Sequence, residues 1–261
     1  MTDAPYLITD TDRSETRERA QQMAALLHLP YLPRQGRSIA ALCGTSRGVF
    51  VVEQKALAFY APGSKTAFRY HPSSAIPRIR DASKGIADPL LVACEVQKGD
   101  RVLDATLGLG ADALVLSWGI GEEGELIALE HSLPIAVVVC DGLRRYQSNR
   151  ATIDAAMRRI RVFHADHRHF LRHAESSSFD IIYFDPMFVH PRYASAGIAP
   201  LRALADPRPL SGDTLALARR VARRRVVVKA EAEQVCWGKA DRLIRTHSGL
   251  YYHVFEAASR S

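Results

Sequence analysis

Apolar and polar positions change period twice along this 261-residue chain. After a short apolar stretch at Tyr6 to Ile8, a polar segment from Ser14 carries Ala20, Met23, Ala24 and Leu27. That spacing gathers the apolar side chains on one face of a helix, which Pro30 ends. Between Ser38 and Tyr70 the period shortens. I-A-A-L-C, V-F-V-V and L-A-F-Y are β-rich pieces separated by Gly, Ser and Lys, the pattern of a small antiparallel meander. Residues 71 to 80, H-P-S-S-A-I-P-R-I-R, combine two prolines with small polar residues and read as a linker. The expected division is a small N-terminal α+β domain over 1–75 and a larger domain over 76–261.

Asp88 and Pro89 are suited to cap and begin a helix through L-L-V-A-C-E-V. From Arg101 onward, strand-like R-V-L-D-A, L-I-A-L-E, I-R-V-F-H, F-D-I-I-Y-F-D and R-V-V-V-K are separated, in the earlier part, by stretches of helical character. Alternation of this kind requires a mostly parallel sheet with helices on both faces. R-L-I-R-T and Y-Y-H-V-F-E, around Ser248 and Gly249, predict a C-terminal antiparallel hairpin.

Composition alters this picture little. A hydrophobic fraction of 47% and a charged fraction of 24% are ordinary for a globular protein. Cys43, Cys94, Cys140 and Cys236 form no C-x-x-C pair, so reduced structural thiols are expected. The first residues lack a basic start followed by an apolar stretch, and no apolar run reaches the length of a membrane span, which predicts a cytoplasmic protein without a membrane partner. The net charge of +7 favours encounter with polyanions such as RNA, but fits an Arg-rich solvated surface equally well.

Candidate chemistry is concentrated at two strand ends. D-A-T-L-G-L-G-A-D, residues 104 to 112, follows a strand and opens a helix, so Gly108 and Gly110 let the backbone turn tightly beneath a ligand. Twenty residues beyond Gly110, Glu130 closes the next strand, where its carboxylate can accept hydrogen bonds from both hydroxyls of a ribose. The same glycines fit the relaxed dinucleotide fingerprint G-x-G-x-x-A, which keeps a nicotinamide oxidoreductase open. Asp104 weighs against a pyrophosphate there and suits a ligand with cationic groups, the sulfonium and ammonium of S-adenosylmethionine. Asp166, in H-A-D after the third strand, can bond an adenine amine, cap the following helix, or do both.

The fourth strand runs into Asp185-Pro186-Met187-Phe188 at the same edge of the sheet. Asp185 and the Pro186 carbonyl can accept both hydrogens of an exocyclic amine, and Phe188 can stack on its ring. An ordinary Asp-Pro turn with Phe188 in the core would give the same string. The histidines at 164, 167, 169 and 173 lie on an Arg-rich segment without a zinc framework, and no metal site is expected. Lys229 can contact a phosphate or simply end its strand. Arg219, Arg220, Arg223, Arg224 and Arg225, with Arg144, Arg145, Arg158 and Arg159, can form a phosphate-binding surface or be scattered by folding.

With D-A-T-L-G-L-G-A-D, L-E at 129 to 130, D-G-L at 141 to 143, Y-F-D-P-M-F at 183 to 188 and V-V-V-K at 226 to 229, the chain resembles the ribosomal small-subunit methyltransferase J family. The resemblance spans roughly residues 80 to 256 and implies a Rossmann-like class I methyltransferase domain. It implies S-adenosylmethionine as donor and the N2 amine of a guanosine in small-subunit rRNA as acceptor. By matching position, Asp104, Thr106, Gly108, Gly110, Asp112, Glu130, His131, Asp166 and Asp185 would serve the donor, and Asp185, Pro186 and Phe188 the guanine. The chain departs from the family in the basic stretch R-I-R-D-A-S-K-G, residues 78 to 85, and after D-P-M-F, both substrate-facing. Another RNA or amino substrate, or an RNA-binding protein with a vestigial donor site, remains open on the sequence.

Overall fold

The computed structural model describes residues 5–9, 11, 13–43, 48–72, 74–186, 204, 206, 208–231, 237–246 and 249–258. The chain divides into two compact units, the first built chiefly from Met1–His71 with Val137–Tyr146 and the second from most of the remainder.

In the first unit, strand β1 (Tyr6–Thr9) is followed by helix α1 (Ser14–Leu27) and the one-turn α2 (Ile39–Cys43). Strands β2 (Val49–Val52), β3 (Leu57–Tyr60) and β4 (Phe68–Arg69) complete it. The meander expected from the sequence is present, since β2 pairs with β3 and β3 with β4, both antiparallel. Tyr6–Thr9 adds a fourth strand parallel to β2. I-A-A-L-C is a helix rather than a strand. The Ser38 hydroxyl accepts the Ala41 N–H at 3.1 Å, and two adjacent alanines favour the turn that this cap begins. Tyr6, Ile8, Leu42, Val49, Val51 and Ala58 form the core of this unit, and the Tyr6 hydroxyl donates to the Leu42 carbonyl at 2.6 Å.

The predicted linker is largely helical in the second unit. Helix α3 (Ala75–Ala82) contains Pro77 in its first turn, where a missing N–H breaks no intrahelical bond, and it buries Ala75 and Ile79 on one face. Helix α4 (Pro89–Cys94) is capped as expected, the Asp88 carboxylate accepting from Leu90 N at 3.0 Å and Leu91 N at 3.3 Å. Alternation follows with β5 (Arg101–Asp104), α5 (Ala111–Ile120), β6 (Glu125–Glu130), α6 (Leu133–Arg145), α7 (Ala151–Arg159), β7 (Ile160–His164), α8 (His167–His173) and β8 (Phe179–Phe184). The chain closes with α9 (Gly212–Val221), β9 (Ala222–Ala230) and the antiparallel hairpin β10 (Arg242–Arg245) and β11 (Tyr251–Glu256).

The seven strands are ordered β10-β11-β9-β8-β5-β6-β7, parallel except where β11 joins β9 and β10. The order runs outward from β5 to β6 and β7 on one side, and from β8 to β9 on the other. Helices therefore leave β5 and β8 toward opposite sides, and a crevice opens at their carboxyl ends, where such sheets bind ligands. Leu103, Leu129, Ile182, Phe184, Val226 and Val228 face one layer, packed with Leu171 of α8 and Leu215 and Ala218 of α9. No helix among the described residues is long and apolar enough to cross a membrane.

D-G-L at 141 to 143 acquires a packing role within the first unit. Asp141 pairs with Arg19 at 2.6 Å, Leu143 is buried, and a Cβ on Gly142 would lie 2.2 Å from the Tyr70 side chain. Gly142→Ala is therefore expected to lose about 1 to 3 kcal/mol of stability, the usual cost of overpacking. A urea-unfolding comparison with the native chain checks this, and an unchanged midpoint would show that Tyr70 yields without cost.

Candidate active site

The glycine turn lies at the crevice. Gly108 and Gly110 both have positive φ, 51° and 73°, and Gly110 begins α5. Glu130 at the end of β6 braces the turn, one carboxylate oxygen accepting Gly108 N at 3.0 Å and the other Ser132 N at 2.8 Å. Asp104 is 1% exposed and accepts Thr106 N at 3.0 Å. The Thr106 hydroxyl in turn accepts Asp185 N at 2.6 Å. Asp104, Thr106, Gly108, Gly110, Glu130 and Asp185 thus meet at one edge of the sheet, as their strand positions predict.

These groups fit a cationic donor. Among the described residues no lysine or arginine pairs with Asp104 or Glu130, and burial pushes both carboxyls above their ordinary range. A buried carboxylate without an internal cation is costly until a positive ligand faces it. Asp104 would face the charged methionine end of such a donor, and the remaining lone pairs of Glu130 would be the ones to accept from its ribose hydroxyls.

Asp166 and His131 stand at the neighbouring strand ends. Asp166 caps α8 through Arg168 N at 2.8 Å, and its other oxygen meets Arg168 Nη2 at 2.6 Å and Arg208 Nη2 at 3.1 Å. The Arg168 guanidinium holds the Asp166 carboxyl well below the usual range. His131 is half-exposed, its Nδ1 3.9 Å from Asp166.

Asp112 has both oxygens committed inside the protein. One pairs with Arg78, and the other accepts the Tyr183 hydroxyl at 2.7 Å and Lys229 Nζ at 3.1 Å. Lys229 Nζ also donates to Asp185 Oδ2 at 2.8 Å. Arg78 extends the cluster to Asp88, at 2.8 and 3.0 Å. Burial raises the Asp112 carboxyl, but Lys229 and Arg78 overcome that and hold it well below the ordinary range. Asp185 goes the other way, pushed up to about 6 by loss of water and by the charge of Asp112 against the pull of Lys229.

Arg78 and Tyr183 carry no site signal of their own in the sequence, where Lys229 reads only as a phosphate contact or a strand terminus. The available signal was the register: β8 and β9 are adjacent and parallel, which brings the residues after Phe184 and Val228 together. Pro186 follows Asp185 at the edge of the crevice, half-buried, while Met187 and Phe188 lie outside the described residues. No cluster of three metal-ligating side chains occurs among the described residues.

The strand order, with its C-terminal antiparallel pair and its glycine turn after β5, defines a Rossmann-like class I methyltransferase fold. A structure of an SAM-dependent methyltransferase from Neisseria gonorrhoeae shares it, with a TM-score of 0.62 at 20% identity over 99% of this chain and 98% of that one. A family model described as "Putative SAM-dependent methyltransferase" matches residues 62–248. The ribosomal RNA small subunit methyltransferase J of Thioalkalivibrio sulfidiphilus is 31% identical over 84% of each chain. The Bacillus subtilis protein YpiP, described as uncharacterized, is 36% identical over 82% of this chain and 83% of its own. The chain belongs to this SAM-dependent methyltransferase family, the one that holds the ribosomal RNA small subunit methyltransferase J proteins, and its methyl donor is S-adenosylmethionine. The nicotinamide reading of the glycine turn is thereby set aside.

Glu130→Ala should weaken S-adenosylmethionine binding by about 1 to 3 kcal/mol, the cost of losing charge-assisted hydrogen bonds. Calorimetric titration of the folded variant measures this, and native affinity would remove Glu130 from the donor site.

Proposed function

We propose that the protein methylates the exocyclic N2 amine of a guanosine in small-subunit ribosomal RNA, in the cytoplasm. The observation that carries this reading is the Thr106–Asp185 bond, which ties an amine-accepting carboxylate to the residue beside the donor turn. The names of the relatives and the net charge of +7 support RNA as the acceptor class.

S-adenosylmethionine supplies an activated methyl group on a sulfonium whose thioether product leaves readily. The residues of the chain therefore have to aim the acceptor more than activate it. The lone pair of the guanine amine is delocalised into its ring, and holding both N–H groups favours the orientation in which that pair is presented. Lys229 Nζ holds Asp185 Oδ2, so Oδ1 is the oxygen that would accept one N–H of the amine, and the Pro186 carbonyl offers a second acceptor. The methylated amine sheds one proton, which Asp185 Oδ1 would accept in this reading. Phe188 would supply the stacking surface for the base.

Asp185→Ala should bind the donor normally and lose on the order of a hundredfold or more in turnover, the typical cost of removing a preorganised partner. Nuclease digestion and mass spectrometry of the RNA should give N2-methylguanosine. A ring-nitrogen or ribose product, or native turnover by Asp185→Ala, would overturn the proposal.

A further inference from the structure

We propose that Lys229 is a positioning residue for the reaction: anchored by Asp112, it occupies one oxygen of Asp185 and leaves the other to accept the substrate amine. This rests on the assignment of Asp185 as the amine acceptor.

Lys229 lies in β9, Asp185 follows β8 and Asp112 is in the first turn of α5, so three elements converge on one ammonium. Its Nζ lies 3.1 Å from Asp112 Oδ2 and 2.8 Å from Asp185 Oδ2. Asp112 is itself fixed by the Tyr183 hydroxyl at 2.7 Å and by Arg78, which Asp88 grips on its far side. The Lys229 side chain is only 16% exposed, so its charge is scarcely screened by water. A lysine merely ending its strand would turn its ammonium to solvent. This one is held between two acids, at the carboxylate placed to meet the acceptor.

The arrangement serves two ends. A single donor on Oδ2 fixes the rotation of the Asp185 carboxylate and so the direction of Oδ1. The ammonium also keeps Asp185 ionised where burial and its neighbours would protonate it. Asp112 and Asp104 face Asp185 with like charge, Tyr183 and Tyr252 add phenol groups, and Arg78 acts from behind Asp112. Among these groups Lys229 is the cation that touches Asp185. Asp112 has a double effect, holding the lysine in place while repelling Asp185 through space.

The two partners therefore predict shifts of opposite sign. The Asp185 carboxyl can be titrated by 13C NMR in the enzyme without RNA, its signal assigned by its loss in Asp185→Asn. The native midpoint is expected at about 6. Lys229→Met should raise it by about one unit or more, since an opposite charge at hydrogen-bond distance lowers a carboxylate by about 1 to 3 units. Asp112→Asn should lower it, and Lys229→Arg should return it toward the native value. At saturating donor the acid limb of the kcat profile should move the same way, so that Lys229→Met loses most activity near neutral pH and recovers as pH rises. A purely structural lysine would scale the profile down without moving it.

An unmoved midpoint in Lys229→Met, or shifts of the same sign in Lys229→Met and Asp112→Asn, would overturn the proposal. If Lys229→Met does not fold, Asp112→Asn decides: a lower midpoint supports it, and an unchanged or higher one rejects it. The NMR titration needs no substrate, so failure to find N2-methylguanosine would count against the guanosine assignment and leave this readout intact.

Discussion

Carboxylates buried at the edge of a parallel sheet must be met by hydrogen bonds or positive charge, because an unpaired ion in a low-dielectric site costs several kcal/mol. Asp104, Asp112, Glu130 and Asp185 gather at the carboxyl ends of β5, β6 and β8 and at the start of α5, and they are met in two ways. Asp112 and Asp185 receive lysine and arginine from within the chain. Asp104 and Glu130 receive backbone N–H groups only, among the described residues. This division matches the proposed roles: the carboxylates left without an internal cation would face a ligand that brings its own positive charge, and the internally compensated pair would lie where the acceptor is held.

Strand order makes the two halves neighbours. β5 and β8 are adjacent and parallel, pairing Asp104 with Tyr183, so the residues that follow each strand emerge side by side. The Ala105 N–H donates to the Tyr183 carbonyl at 2.9 Å, and Thr106 then receives Asp185 N. The glycine turn and the Asp-Pro segment are therefore joined by one backbone bond and one to the Thr106 hydroxyl, which hold their spacing before any ligand arrives. Since β8 also alternates its faces, Ile182 and Phe184 enter the layer under α8 and α9, while Tyr183 turns its hydroxyl toward Asp112.

Most of this was legible in the sequence where period and punctuation agree. The glycine turn, Glu130 at its strand end, the Asp88 cap and the C-terminal hairpin each combine a local pattern with a matching neighbour. The misread segments lacked that agreement. I-A-A-L-C is too short for its period to decide, and the Ser38 cap was the better signal. The two prolines between 71 and 80 suggested a linker, although Pro77 falls in the one part of a helix that tolerates it. The Lys229 cluster was hidden for another reason. Its members span residues 78 to 229, and only the strand order, which no single segment encodes, brings them together.

Arginine content shows how a charge pattern can mislead. The run from Arg219 to Arg225 looks like a phosphate-binding stripe, yet folding commits each of its arginines. Arg223 pairs with Asp180 at 2.5 Å, Arg224 with Asp100 at 2.5 Å and Arg225 with Glu95 at 2.7 Å. Arg219 donates to the Glu256 carbonyl, and Arg220 to the carbonyls of Leu171 and Ala174. These contacts secure α9 and β9 to the rest of the sheet. A guanidinium already pairing a carboxylate or capping a carbonyl gains less from a phosphate, because it must give up one partner for the other. The net charge of +7 still acts at a distance and would speed encounter with a polyanion, but it does not locate a contact surface. Sequence clustering of basic residues is thus a statement about the field of the molecule, and which cations meet the phosphate backbone is set by the acids that folding brings beside them.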